Sequence, residues 1–298
     1  MKIFTGSYTG NGTVQSIIGT GFTPDMVLVK STGGNSAQFR TFSMQTGSLS
    51  FRDNSTTDAG AIKSLDGNGF SVGASNNANT SGVTYYYAAF KNMNSGAMAT
   101  GAWNGTALAF TANLPVNQIP KMIMGKTSST QTGIMRTDKN SANTSMNFYG
   151  GAGMTNDLLS FGIGTVSVGI GGEANQAASL FSYFALFPSP VVNTGTYTGN
   201  GTSQIITTGN RPDVIFIGNE SGIAATLLYV SSMPTGNSTA FDGTAMESGI
   251  VTGITTNSFT VNGTSARANQ AAATYFWVTI TAQNVGRTPI AVARVVGP

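Results

Sequence analysis

Thr5-Gly6-Ser7-Tyr8-Thr9-Gly10-Asn11-Gly12-Thr13 returns almost letter for letter at Thr194-Gly195-Thr196-Tyr197-Thr198-Gly199-Asn200-Gly201-Thr202. A reduced form, Thr100-Gly101-Ala102-Trp103-Asn104-Gly105-Thr106, lies between the two. Each copy leads an aromatic residue into Asn-Gly, the dipeptide whose tolerance of positive φ makes it a strong hairpin signal. A hairpin opening that recurs about every 95 residues implies one fold written three times.

Working outward, the same order of segments follows each opening. Pro24-Asp25 leads into Met26-Val27-Leu28-Val29-Lys30, Pro120 into Lys121-Met122-Ile123-Met124, and Pro212-Asp213 into Val214-Ile215-Phe216-Ile217. Each is a compact apolar run suited to a buried strand, with proline expected at its first residue. Phe70-Ser71-Val72, Val166-Ser167-Val168 and Ser258-Phe259-Thr260-Val261 form the inner strands. Tyr85–Phe90, Leu180–Phe187 and Thr274–Ile280 close the units. Just ahead of the closing strands, Ala174-Asn175-Gln176-Ala177-Ala178 and Ala268-Asn269-Gln270-Ala271-Ala272 are identical, with Asn79 in the same place earlier.

The chain therefore reads as all-β: three tandem β-sandwich (jelly-roll-like) domains from an internal triplication, at 1–92, 93–190 and 191–298. Each would hold seven or eight short strands, and no stretch carries a helical period. Thr288–Val296 is an additional apolar segment. It reads as an edge strand on the third unit or as an arm pairing with a neighbouring subunit, the arm being favoured.

Composition narrows the functional classes. Only 8% of residues are charged while 40% are apolar, against roughly a quarter charged in ordinary domains. That is a surface kept wet by hydroxyls and amides, not a disordered chain. The net charge is +3 and the seven lysines, Lys2 to Lys139, are scattered, so no basic stripe points to nucleic acid. No window approaches the 18 apolar residues of a membrane span. Met1-Lys2-Ile3-Phe4 runs into strand pattern without a signal-peptide apolar region, and synthesis in a cytoplasm is expected.

The chain holds neither Cys nor His. Disulfides, the usual zinc sites and Ser-His-Asp or Cys-His nucleophile systems are thereby excluded. The nearest local acid pairs, Asp53 with Asp58 and Asp242 with Glu247, lie in polar turns and read as solvated loop acids. Asp66-Gly67-Asn68-Gly69 resembles the start of a calcium loop but lacks the further acids and reads as a tight turn. Gly162-Ile163-Gly164 and Gly169-Ile170-Gly171-Gly172 have no following lysine or helix to cradle a phosphate. Asn-Gly-Thr at 11, 104 and 200 matches the glycosylation pattern, but the turn reading is the better one. Tyr85, Tyr87 and Phe90 do not alternate with polar residues, so they read as a strand buried between two layers before a subunit interface or a sugar platform. No catalytic, cofactor-binding or metal residue is assigned, and the chain is not expected to be an enzyme.

Tyr8-Thr9-Gly10-Asn11-Gly12-Thr13, then Gly21-Phe22-Thr23-Pro24-Asp25 with an apolar run to Lys30, Gly69-Phe70-Ser71-Val72 and the closing Tyr85-Tyr86-Tyr87-Ala88-Ala89-Phe90 together resemble an uncharacterised β-rich domain family. That family occurs in virion structural and tail proteins of tailed bacteriophages. The first unit carries the resemblance best; the third has Ile217-Gly218 where lysine is expected, and the second keeps order and spacing only. No catalytic residues come with the family. The resemblance implies a virion structural protein, a capsid decoration or minor head protein acting through contacts with other virion proteins. A tail or tail-fibre protein binding a host surface glycan is the alternative. The chain shows no heptad or collagen-like shaft, which favours decoration. A homo-oligomer, with a trimer foremost, is expected.

Overall fold

The computed structural model describes residues 1–51, 56–150, 153–263 and 265–282; Thr288–Val296 and Asp53 lie outside these. The first strands are β1 (Lys2–Thr9), β2 (Gln15–Ile18), β3 (Met26–Ser31), β4 (Gln38–Thr41), β5 (Leu49–Ser50), β6 (Ile62–Asp66), β7 (Gly69–Val72) and β8 (Thr84–Lys91). They form a large sheet ordered β1-β8-β3-β4-β5 and a small one ordered β2-β7-β6.

Next come β9 (Met98–Asn104), β10 (Phe110–Asn113), β11 (Met122–Thr127), β12 (Ile134–Thr137), β13 (Thr144–Asn147), β14 (Met154–Thr155), β15 (Leu158–Gly162), β16 (Thr165–Val168) and β17 (Leu180–Leu186). Their sheets run β9-β17-β11-β12-β13-β14 and β10-β16-β15. The last strands are β18 (Val192–Thr198), β19 (Gln204–Thr207), β20 (Val214–Asn219), β21 (Leu227–Val230), β22 (Asn237–Ala240), β23 (Glu247–Ser248), β24 (Val251–Ile254), β25 (Ser258–Val261) and β26 (Thr274–Ile280). They repeat the order as β18-β26-β20-β21-β22-β23 and β19-β25-β24. The protein is all-β, and the described residues add only the single helical turns α1 (Asn76–Asn79) and α2 (Gly172–Asn175).

The opening stretch is not a hairpin. β1 pairs antiparallel with β8, Tyr8 facing Tyr85, while β2 pairs with β7 in the other sheet. Gly10–Thr13 carries the chain across from one sheet to the next. The Asn-Gly signal is still physical: Gly12 and Gly201 hold φ of 74° and 72°, which L side chains avoid. In the middle copy the turn is shifted by one, so Ala107 takes that conformation at 59° and Asn104 stands where Thr9 does. The prolines also differ from expectation, sitting two residues ahead of β3, β11 and β20. Lacking an N–H, they leave the first ladder bonds to Asp25, Lys121 and Asp213, which donate to Phe90, Leu186 and Ile280 oxygens at 2.7, 2.7 and 2.9 Å.

Alternation along the central strands decides the cores. On β3 and β8, Val27, Val29, Tyr85, Tyr87 and Ala89 face the small sheet and meet Tyr8, Ile17, Phe70 and Val72. The opposite residues, Met26, Leu28, Tyr86, Ala88 and Phe90, are also buried, in a second core. That core gathers Met122, Met124, Phe184 and Leu186 from β11 and β17, and Phe216 and Val278 from β20 and β26. A strand buried on both faces reads as continuously apolar for this reason. Gly6, Gly101 and Gly195 lie directly under the rings of Tyr87, Tyr183 and Trp277, where a Cβ would collide.

The shared core joins all three large sheets. Phe51, Phe148 and Phe241 directly follow β5, β13 and β22. Their rings meet at 4.4 Å (51–148), 4.4 Å (148–241) and 5.0 Å (51–241) between centroids. Such aromatic contacts add about 0.5–1.5 kcal/mol each beyond area burial. β4 packs near β17, β13 near β20 and β21 near β8, so the three large sheets close on one another in a cycle.

Candidate functional site

The feature repeated at the surface is a pair of apposed turns pinned from below by a buried asparagine. Asn79, at the end of α1, has its side chain fully enclosed. Its Oδ1 accepts the Asn11 N–H at 2.8 Å, and its Nδ2 donates to the Gly73 oxygen at 2.7 Å and to the Thr13 oxygen. Asn175 accepts from Thr106 N at 2.7 Å and donates to the Leu108 and Gly169 oxygens. Asn269 accepts from Asn200 N at 3.1 Å and donates to the Thr202 and Gly263 oxygens. An amide is needed because each site presents both a donor and acceptors.

Each pinned turn is bonded to a second one. Gly82, Ala178 and Ala272 donate N–H groups to the Gly10, Gly105 and Gly199 oxygens at 2.9, 3.2 and 2.9 Å. All three donors lie in the left-handed region, at φ of 76°, 56° and 64°. Two of the three are alanines, which normally avoid it. Asn11, Thr13, Thr106, Asn200 and Thr202 are exposed beside them. The outcome is an uncharged tip, rich in backbone polar groups, carried three times, with an exposed Leu108 in the second where Thr13 and Thr202 stand in the others.

Of the acids picked out from sequence, Asp58, Asp242 and Glu247 fall within the described residues, and each is engaged by partners other than a second carboxylate. Asp242 and Glu247 are bridged by Arg267, whose Nη1 lies 3.3 Å from Asp242 Oδ2 and whose Nε lies 2.7 Å from Glu247 Oε1. Arg267 comes from the segment equivalent to α1, a partner too distant in sequence to be anticipated. Asp58 tethers α1, accepting from Gly60 N, Ser75 Oγ and Asn77 Nδ2 at 2.9, 2.6 and 2.9 Å. Asp66–Gly69 is the turn between β6 and β7. There Asn68 Oδ1 accepts from Gly21 N at 2.7 Å. Among the described residues, no group of three or more His, Cys, Asp or Glu side chains comes together.

Three buried ionisable residues, Asp157, Lys30 and Lys126, have surroundings that the sequence does not show. Asp157 is 1% exposed and accepts the Ala174 N–H at 3.0 Å, with the Glu173 carboxylate close by. Burial, then the neighbouring Glu173 charge, push its carboxyl up to about 7. Lys30 is fully enclosed and donates to the Thr244, Gly33 and Ser31 oxygens at 2.8, 3.3 and 3.4 Å. Burial lowers its ammonium to about 8, against the opposing pull of Asp242. Lys126 occupies the same place on β11, donating to the Ser129 and Gln131 oxygens.

Tyr85, Tyr87 and Phe90 are 0%, 3% and 0% exposed, so no sugar reaches their faces in the folded protein. Burial raises Tyr87 above the ordinary phenol range, and raises Tyr183 to about 12. The exposed large apolar side chains lie elsewhere, Ile18 and Ile205 on the small sheets and Phe42 at the end of β4. No helix among the described residues is long and apolar enough to cross a membrane.

Residues 3–102 match the family described as "Domain of unknown function (DUF7483)", a stretch that runs from β1 into β9. No curated protein matches the chain. Among solved structures, the crystal structure of the major capsid protein P2 from Bacteriophage PM2 is 11% identical, covering 63% of this chain and 99% of that one, with a TM-score of 0.22. At that TM-score the likeness does not establish a common fold.

Proposed function

We propose that the chain is a bacteriophage virion structural protein, a capsid decoration or minor head protein that acts through protein–protein contacts. The observation that carries this reading is the shared core. It joins three two-sheet bodies through one core and leaves an outer surface with few charges and scattered exposed apolar side chains. A weakly charged body suits lattice contacts, whose specificity comes from shape and backbone hydrogen bonding rather than from steering charge. Asp58 lies in a tether and Asp242 and Glu247 in an ion bridge to Arg267, an arrangement that favours a passive role for these three over hydrolysis.

The same reading takes the three recurrences of strand order as an internal triplication of a jelly-roll-like domain, divided near 92 and 190. The virion is the proposed location and other virion proteins are the proposed partners. The test is immunogold labelling and mass spectrometry of purified virions of the phage that encodes the chain. Label over the head supports the reading. Label confined to the tail tip would replace it with the tail alternative, and absence from the particle would overturn both.

A further inference from the structure

The three bodies form a closed cycle within one chain. The first meets the third where Ala37 N donates to the Phe241 oxygen and Met246 N to the Thr32 oxygen, at 2.9 and 3.0 Å. The second meets the first through the equivalent bond, Gly133 N to the Phe51 oxygen at 2.9 Å. The third meets the second through Thr226 Oγ1 on the Asn147 oxygen at 3.3 Å, and through Glu220 Oε1, which accepts from Asn140 Nδ2 and Ser141 N at 2.8 and 2.7 Å.

The outer rims repeat the cycle. Thr5 on β1 bonds Ser231 beyond β21 at 2.8 Å, and Thr194 on β18 bonds Asp138 beyond β12 at 2.6 Å. At the third rim, Thr100 on β9 and Phe42 beyond β4 line one small groove. Head-to-tail contacts that close after three steps are the geometry of a cyclic trimer. Among the described residues, these faces are used inside the chain rather than presented to a second copy.

We propose that this single chain takes the place of a homotrimer. We further propose that its paired turns (10–13 with 80–82, 105–108 with 176–178, 199–202 with 270–272) contact three identical partner chains around a threefold axis. This rests on the virion reading above and names its partner: one copy of this protein per threefold position of the shell. The surface is chosen because it is common to all three bodies, whereas rim residues such as Phe42, Asp138 and Ser231 have diverged. Each tip is held by the same buried asparagine, and Ala178 and Ala272 keep a costly backbone conformation there. Three modest contacts made together are far stronger than one, because the second and third form at high effective concentration.

The experiment has two parts. Native mass spectrometry of the purified protein is expected to give the 30.6 kDa monomer; a trimer would overturn the inference. Virions are then produced with the chain in wild-type form, as each single variant Ser81→Lys, Ala177→Lys and Ala271→Lys, and as the triple variant. These positions are exposed, and circular dichroism checks that each variant folds. Incorporation of the folded triple variant is expected to fall at least about tenfold, with each single variant losing less. Wild-type protein in the particle together with undiminished triple variant would overturn the inference and leave the virion reading standing. Wild-type protein missing from the particle would overturn the reading itself, and the inference with it.

Discussion

At the scale of single residues, the buried asparagines and Asp157 make the sharpest claims. Asn79→Ala removes the partner of the Asn11 N–H and of the Thr13 and Gly73 oxygens, the last of them in a buried bond. Leaving buried polar groups unpaired costs about 1–3 kcal/mol each, so a loss of about 3 kcal/mol in urea denaturation is expected. A loss below half a kilocalorie would mean that the turn holds itself. Asp157 predicts a pH dependence. Its folded pKa, about 7, lies above the ordinary 3.8, so between those values the folded protein binds more protons than the unfolded chain. Stability therefore falls as pH rises from about 4 to about 7, by at most about 4 kcal/mol. Thermal melts across that range should show the slope in the wild type and a flatter profile in Asp157→Asn. Asp157 was hidden in the sequence because its place is held by Ala61 and Ile250 in the other bodies. Only the hydrogen-bond pattern, Gly73 to Ala61, Gly169 to Asp157 and Asn262 to Ile250, makes the three equivalent.

At the scale of elements, the central strands were legible and the crossings were not. Continuous apolar runs such as Tyr85–Phe90 carry their double burial in their composition, because a strand with one wet face alternates. The Asn-Gly turn was legible as a turn, but its partner was not. A hairpin and a sheet-to-sheet crossing share the same need for positive φ, and only the buried Asn79, 68 residues after Asn11, distinguishes them. The closing strands also explain the glycines on β1, β9 and β18. Gly101→Ala would place a methyl group against the Tyr183 ring, and overpacking of this kind costs about 1–3 kcal/mol. The double variant Gly101→Ala with Tyr183→Leu should recover part of that loss. A double variant no better than the sum of the two singles would show that the glycine serves the backbone and not the ring.

At the scale of the whole molecule, the sequence is silent on how the three pairs of sheets meet. Phe51, Phe148 and Phe241 sit in segments of little similarity, and their meeting is a property of the closed cycle alone. Truncating one opens a cavity against the other two. Phe148→Ala is expected to cost about 3–5 kcal/mol, and Phe51→Ala with Phe148→Ala less than the sum of the singles, because the second deletion enlarges a cavity already present. The shared core also requires the three bodies to unfold together. The two tryptophans report on different bodies, Trp103 stacked on Phe181 at 4.6 Å between the second pair of sheets and Trp277 edge-on to Phe259 at 6.2 Å between the third. Urea unfolding followed by tryptophan fluorescence in Trp277→Phe and in Trp103→Phe, each alongside circular dichroism of the same variant, separates the two reporters. Within each variant, fluorescence and circular dichroism are predicted to coincide in a single transition. A fluorescence midpoint displaced from the circular dichroism midpoint, in either variant, would show bodies that unfold independently and would contradict the single closed core.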